Sequence, residues 1–227
     1  MKRDWLPRPP PHHLLEACGL PAIQDQLHEE FKSVGERLLR RCKENGRLRK
    51  GDRVLDIDCR GGRFAQVLLD EPIASYVGIS SNPEIVDWYA REVTRRDPRF
   101  QFLLSDVVET RSDVRSPFPD DSFDFVMADS VFKNVPPKVA ASYLREISRV
   151  LAPGGRVVLD LYFAIGTTYL EPGFSFFNPK DFTRMVEEAG LRLEMTDIPF
   201  TGRAENWVVL TEGGAPEAPT THTTKGG

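Results

Sequence analysis

Apolar positions along the chain fall into two alternating rhythms. Short continuous runs rich in Val, Ile, Leu and Phe alternate with longer stretches where apolar residues return every three or four positions. The first long stretch covers residues 22–44, with a helical stripe of Ile23, Leu27, Phe31, Val34, Leu38, Leu39 and Cys42 among charged residues. Strands are then expected at 53–57, at 76–79 (YVGI), at 100–104 (FQFLL) and at 123–128 (FDFVMA). Between them SNPEIVDWYAREVTRR reads as a helix capped by Asn82, with Pro83 at its first position. PKVAASYLREISRVL carries the stripe Val139, Tyr143, Leu144, Ile147, Val150 and Leu151, and the following PGG is expected to end that helix through a left-handed glycine. RVVLDLYF (156–163) is a strong central strand, PKDFTRMVEEAG a helix stopped by Gly190, and LRLEMTDIP and NWVVLTE two closing strands.

Strands alternating with helices of this length imply an α/β fold with a mostly parallel sheet and helices on both faces. Ligands on such sheets sit at the carboxyl ends of the strands, near the point where strand order reverses. Attention therefore falls on Asp56 onward, Ser80 to Asn82, Ser105 to Asp106, and Asp129 to Asn134.

Composition narrows the picture. A length of 227 residues suffices for one full domain with a sizeable core. The formal net charge of −4 gives no electrostatic footprint for nucleic acid or an anionic membrane surface. No apolar run approaches the ~20 residues of a membrane span, and the basic N-terminus has no apolar stretch behind it, so it does not read as a secretory signal. Cys18, Cys42 and Cys59 are widely spaced, which argues against a disulfide framework or a zinc site and fits a reducing, cytoplasmic location. No metal-ligand spacing appears, so no catalytic metal is expected. The proline-rich residues 1–21 read as an irregular arm, and residues 213–227, without apolar anchors, as a disordered tail. The expected organisation is an N-terminal arm and cap helix (1–44), a central domain (45–212) and the tail.

Five motifs then stand in register: VLDIDCRGG, YVGISSNPEIVDW, FLLSDV, FPDDSFDFVMADSVF and YLREISRVLAPGGRVVLDLYF. With them the chain resembles the class I S-adenosylmethionine-dependent methyltransferases of small-molecule type, over about residues 45–211. The resemblance implies a Rossmann-like, seven-stranded, mostly parallel sheet whose last strand is antiparallel. It also implies S-adenosyl-L-methionine as cofactor, S-adenosyl-L-homocysteine as product and a small-molecule acceptor. A dinucleotide-binding dehydrogenase is the rival for a strand followed by a glycine turn, but it requires Gly-x-Gly-x-x-Gly directly after the strand.

Carried onto this chain, the resemblance gives the following site. Asp56 would help place the cofactor's ammonium; alternatively it caps its own turn. Asp58 and Arg60 stand where the family has its first two glycines, and Gly61 and Gly62 follow. If Asp58 and Arg60 keep ordinary backbone angles the loop must be wider. Arg60 would then point to solvent, pair with Asp58 or compete with the cofactor's positive groups. Ser80 stands where the family has a ribose-binding acid, leaving Ser80, Ser81 or Asn82 for the ribose hydroxyls, with Asn82 also the helix cap. Asp106 would take the adenine amino group and Val107 would offer backbone; alternatively Asp106 is a strand-end turn residue. Asp129, Ser130 and Phe132 lie beside the transferring methyl, with Asp129 counted for both cofactor and catalysis. Asn134 replaces a possible histidine base and can orient but not deprotonate. His28, on the cap helix, is the remaining candidate base; its alternative is a solvated helix histidine. The acceptor side is assigned to the loop at 164–178 plus the N-terminal helix, with Phe132, Tyr162, Tyr169, Phe174 and Phe177 as candidate walls; alternatively the aromatics of this loop are core or lid packing.

Three readings stay open at this point. The chain is an active small-molecule O- or N-methyltransferase; or a methyltransferase-like protein that has lost methylation and binds or catalyses something else; or an interaction protein or macromolecule methyltransferase that grips its partner through the N-terminal arm. The aromatic loop favours the first over the third.

Overall fold

A computed structural model describes residues 10–17, 27–105, 114–170, 173–195 and 206–213. The arm before residue 10, Asp106, Val107 and most of the tail lie outside the described residues. Two N-terminal helices, α1 (His12–Ala17) and α2 (Leu27–Glu44), lead into β1 (Arg53–Asp56). The alternation then runs α3 (Arg63–Leu68), β2 (Ser75–Ser80), α4 (Pro83–Tyr89, prolonged by a π turn over Ala90–Thr94), β3 (Phe100–Leu104), β4 (Phe123–Ala128), α5 (Val131–Asn134), α6 (Pro137–Val150) and β5 (Leu151–Phe163). After it come β6 (Thr168–Leu170), β7 (Phe174–Phe177), α7 (Pro179–Glu188), β8 (Leu191–Met195) and β9 (Asn206–Glu212).

The main sheet has the order β3-β2-β1-β4-β5-β9-β8. Pairs from β3 through β5 are parallel, while β9 is antiparallel to both β5 and β8. The expected seven strands with an antiparallel last member are therefore present. Two more, β6 and β7, form a hairpin inside the segment expected to be a loop, and β7 pairs with the carboxyl end of β5 at Tyr162–Phe176 and Phe163–Phe177. β5 thus forks, with Arg156–Leu161 facing β9 and its last residues facing β7.

The expected left-handed glycine cap after α6 is corrected. The helix ends at Val150, Leu151 is already extended, and Pro153, Gly154 and Gly155 form a bulge inside β5. The register steps from Phe123–Leu151 to Phe125–Arg156 across it. Gly154 still needs its left-handed angle (φ 75°). The short helix α3 has no counterpart in the sequence reading. Its cap, Gly62, is itself left-handed and offers no side-chain acceptor, so the usual start signal is missing. By contrast Asn82 caps α4 as expected, accepting from the amides of Glu84 and Ile85.

Core packs on both faces. One side holds the α6 stripe with Phe132, Phe177, Phe182 and the inward residues of β5 and β9. The other holds α2, α3 and α4 against Val54, Tyr76, Phe100, Phe125 and Val158. Gly35 lets α2 cross α3 closely, since a Cβ there would lie 2.6 Å from the Arg63 carbonyl oxygen. The Arg41 guanidinium lies 4.6 Å from the centre of the Trp207 ring and ties α2 to β9. α2 thereby lies over the carboxyl end of β1, with Leu38 facing the turn that follows.

Candidate active site

Asp56 ends β1 with its side chain only 3 % exposed. The Tyr76 hydroxyl donates to its Oδ2 at 2.6 Å. In the parallel register Gly78 lies opposite Asp56, and a Cβ there would crowd Cys59 Sγ at 2.9 Å and the Tyr76 ring at 3.0 Å. The bare glycine thus leaves Tyr76 room to reach the carboxyl, while Phe100 stacks on its ring at 5.3 Å. Burial pushes the Asp56 carboxyl up to about 8; the Tyr76 bond opposes this, the charges of Asp129 and Asp58 add to it, and Arg63 pulls down. A buried acid of this kind suits a cationic ligand group, whose approach would favour the charged carboxylate.

The turn after β1 keeps the backbone of a glycine turn without two of its glycines. Asp58 (φ 58°), Arg60 (φ 46°) and Gly62 (φ 76°) are all left-handed. Asp58 and Arg60 do not keep ordinary backbone angles, so the condition for a wider or rerouted loop is not met. The path is stitched to both neighbouring strands, because the Ile57 amide donates to the Met127 carbonyl at 2.9 Å and the Cys59 amide to that of Ile79 at 2.8 Å. Arg60 resolves its alternatives by pairing with Asp58, Nε to Oδ2, at 3.4 Å. Gly62 is required for a reason the motif does not show. A Cβ there would lie 2.0 Å from the Tyr89 hydroxyl, which donates to the Gly61 carbonyl at 2.9 Å.

Across the cleft, Asp129 follows β4 and receives the Arg63 guanidinium at 3.5 Å and the Ser130 hydroxyl at 3.2 Å. Ser130 is left-handed (φ 68°) and is held on both sides. Its amide donates to Asp160 Oδ1 at 2.5 Å, and Asn134 Nδ2 donates to its carbonyl at 2.7 Å. Asn134 therefore shapes the loop under Asp129. Asp160, at the core of β5, is also paired with Lys133, whose ammonium lies 5.6 Å from the Tyr162 ring centre. Burial pushes the Asp160 carboxyl up, with Asp129 adding to it, against the pull of Lys133 and the Ser130 amide.

At the end of β2, Ser80 is buried and its Oγ accepts the Asn82 amide at 3.2 Å, while Ser81 is exposed. The Asn82 side chain is committed to the α4 cap. Phe132 and Phe177 are corrected as acceptor walls. Both are fully buried and meet Phe182 edge-on, at 6.3 and 5.5 Å, as core between α5, α7 and the sheet. Tyr162 is half-buried and stacks on Phe176 at 5.4 Å, Tyr169 is half-buried on β6, and Phe174 is exposed on β7. His28 falls in the first turn of α2, and its side chain lies outside the described residues.

Arg63 and Lys133, like Tyr76 and Asp160, escaped the sequence reading. Arg63 carries no motif signal in a single sequence, and Lys133 reads as a surface lysine although it is buried on Asp160. Also unforeseen is an apolar cavity of about 220 Å³ between α6 and the carboxyl ends of β1–β3, walled by Leu55, Ile57, Ile79, Leu103 and Tyr143. The charged cleft itself, between Asp56, Asp58, Arg60, Arg63 and Asp129, holds about 10 Å³.

Comparison with known proteins places this geometry. Residues 55–159 match the family model described as a methyltransferase domain. The chain is 29% identical over 206 residues to methyltransferase GfsG of Streptomyces halstedii, covering 84% of this chain and 69% of that one. It is 27% identical over 154 residues to demethylmenaquinone methyltransferase of Staphylococcus aureus, and spans 60% of that protein's length and of its own. Among solved structures, the [4+2]-cyclase SpnF superposes with a TM-score of 0.61 at 21% identity, over 82% of this chain and 70% of that one. An S-adenosylmethionine-dependent methyltransferase from Mesorhizobium loti superposes with 0.59 at 15%, over 79% and 99%. Residues 55–159 thus carry a methyltransferase domain, and the relatives and structural neighbours support S-adenosylmethionine as its cofactor. The residues fit that group chemically. A buried acid, two further carboxylates and two guanidiniums surround one cleft, matching a head that carries both an ammonium and a carboxylate.

Proposed function

We propose that the protein transfers the methyl group of S-adenosylmethionine to oxygen or nitrogen of a small, largely apolar acceptor. The observation that carries this reading is the cleft where Asp56, Asp58 and Asp129 converge at the carboxyl ends of β1 and β4. The likeness to a demethylmenaquinone methyltransferase supports an acceptor with a planar ring.

The cofactor supplies a methyl already activated on a sulfonium, so alignment provides much of the rate. In this reading Asp56 and Asp129 neutralise the cofactor's positive groups, with Tyr76 fixing the Asp56 carboxyl. Ser130, pinned by Asp160 and Asn134, sets the position of Asp129. Asn134 cannot take a proton, and its amide is engaged with the Ser130 carbonyl. The favoured acceptors therefore ionise readily or lose their proton to water, such as an aromatic hydroxyl or an amine.

The test is transfer of isotopically labelled methyl from S-adenosylmethionine to a panel of phenols, hydroquinones and arylamines. Labelled product with matching S-adenosylhomocysteine release supports the reading. A second reading, a protein of this fold with other chemistry, draws on the two replaced glycines and the nearly closed cleft. Tight cofactor binding with no methyl transfer to any acceptor class would favour it.

A further inference from the structure

The cleft that should receive the cofactor's amino acid head has almost no free volume, about 10 Å³, which is barely the room of one water. What closes it is side chain. Arg63 reaches from the start of α3 to Asp129 on the loop after β4, and both side chains are less than one-fifth exposed. The backbone under Arg63 is fixed, because α2 presses on its carbonyl through Gly35 and Leu38 walls the cleft. Among the side chains that line the cleft, Arg63 is one whose guanidinium can turn while its backbone stays in place.

The contact to be broken is weak. A single Nη2 to Oδ2 approach at 3.5 Å is at the limit of a hydrogen bond. A free carboxylate can instead engage the guanidinium fork with two parallel bonds. The other guanidinium of the cleft, Arg60, is already placed on Asp58. The two contacts are similarly long, 3.4 and 3.5 Å; Arg63 differs in that its partner, Asp129, lies across the cleft on the loop after β4. Once it turns, Asp129 is released beside Asp56, and two carboxylates face whatever positive group enters with the anion.

We propose that Arg63 recognises the cofactor's carboxylate and is held on Asp129 until the zwitterionic head displaces that pair. The proposal rests on S-adenosylmethionine being the cofactor and assigns the residue that discriminates its head group. It makes Arg63 a specificity-determining residue and Asp129 its resting partner.

Three adenosyl probes separate the possibilities by calorimetric titration of the full chain. S-adenosylhomocysteine carries the ammonium and the carboxylate, its decarboxylated analogue carries the ammonium alone, and 5′-methylthioadenosine lacks the head. Arg63→Ala is expected to weaken S-adenosylhomocysteine about 10- to 100-fold, the range for losing hydrogen bonds to a charged group. The decarboxylated analogue should hold or gain affinity, and 5′-methylthioadenosine should be unchanged, which also shows that the variant is folded. Arg63→Lys should recover part of the loss. An equal loss for all three probes, or no loss for S-adenosylhomocysteine, overturns the proposal. Binding of none of the three by the unaltered protein overturns it together with the cofactor assignment.

Discussion

Asp58 and Arg60 stand in backbone angles that L residues adopt at a cost of about 1–2 kcal/mol. Aspartate tolerates this region better than arginine, so the strain falls mainly on Arg60. Replacing Arg60 with glycine should relieve it, offset by the loss of a partly exposed ion pair worth at most about 1 kcal/mol. A net gain near ~1 kcal/mol in denaturant unfolding is expected. Cofactor binding should strengthen too, because Arg63 remains for the carboxylate while a positive charge near the ammonium and sulfonium is removed. Weaker binding by Arg60→Gly would show that the arginine has been recruited to the ligand.

Asp56 gives a second residue-level expectation. Its carboxyl is held up to about 8 in the folded chain, chiefly by burial, against an ordinary value of 3.8. The folded state then holds the proton more tightly than the unfolded state. Its contribution to stability is complete below pH ~4 and is lost as pH rises towards ~8. Asp56→Asn should remove that component of the pH slope, seen by comparing unfolding free energies of the two proteins between pH 5 and about 8.5. The same substitution should weaken S-adenosylhomocysteine binding. An unchanged slope would mean that Asp56 is ionised in the folded chain at neutral pH.

At the scale of elements, the loop that carries Asp129 is fastened to β5 by a buried charge pair. Removing one partner of such a pair typically costs about 3–5 kcal/mol, because the other charge is left buried. Asp160→Asn should therefore destabilise strongly, and adding Lys133→Met should restore most of the loss while leaving the Ser130 amide an acceptor. If the single substitution is silent in thermal unfolding, Lys133 has another route to water and the fastening is weak. Elements also show where sequence was readable. α4, α6 and α7 announce themselves through Asn82, the Val139–Val150 stripe and Gly190, all local signals. α3 and the β6–β7 hairpin do not. The first is started by a left-handed glycine pressed against Tyr89, a residue 27 positions away, and the second exists because β5 extends past β9 and offers β7 an edge. Phe132 and Phe177 were misplaced for a related reason, since their burial comes from Phe182 on α7 and cannot be read from neighbouring residues.

For the whole molecule, the mostly parallel sheet follows from the alternation of elements, and the antiparallel last strand from the family resemblance that the five motifs carry. The site is less legible. Asp56, Asp58 and Asp129 do converge, but Arg63, Lys133 and Tyr76 enter only through contacts between distant strands and helices. Two side chains at expected glycine positions suggest a damaged cofactor turn, whereas the folded backbone takes left-handed angles there and meets a buried acid. The role of this site therefore depends on whether the cleft takes its cofactor. The most direct measurement is calorimetric titration of the purified chain with S-adenosylmethionine and S-adenosylhomocysteine. Saturable one-to-one binding at about micromolar Kd, roughly −8 kcal/mol, is expected. No heat of binding, and no shift in melting temperature, at millimolar cofactor would contradict it.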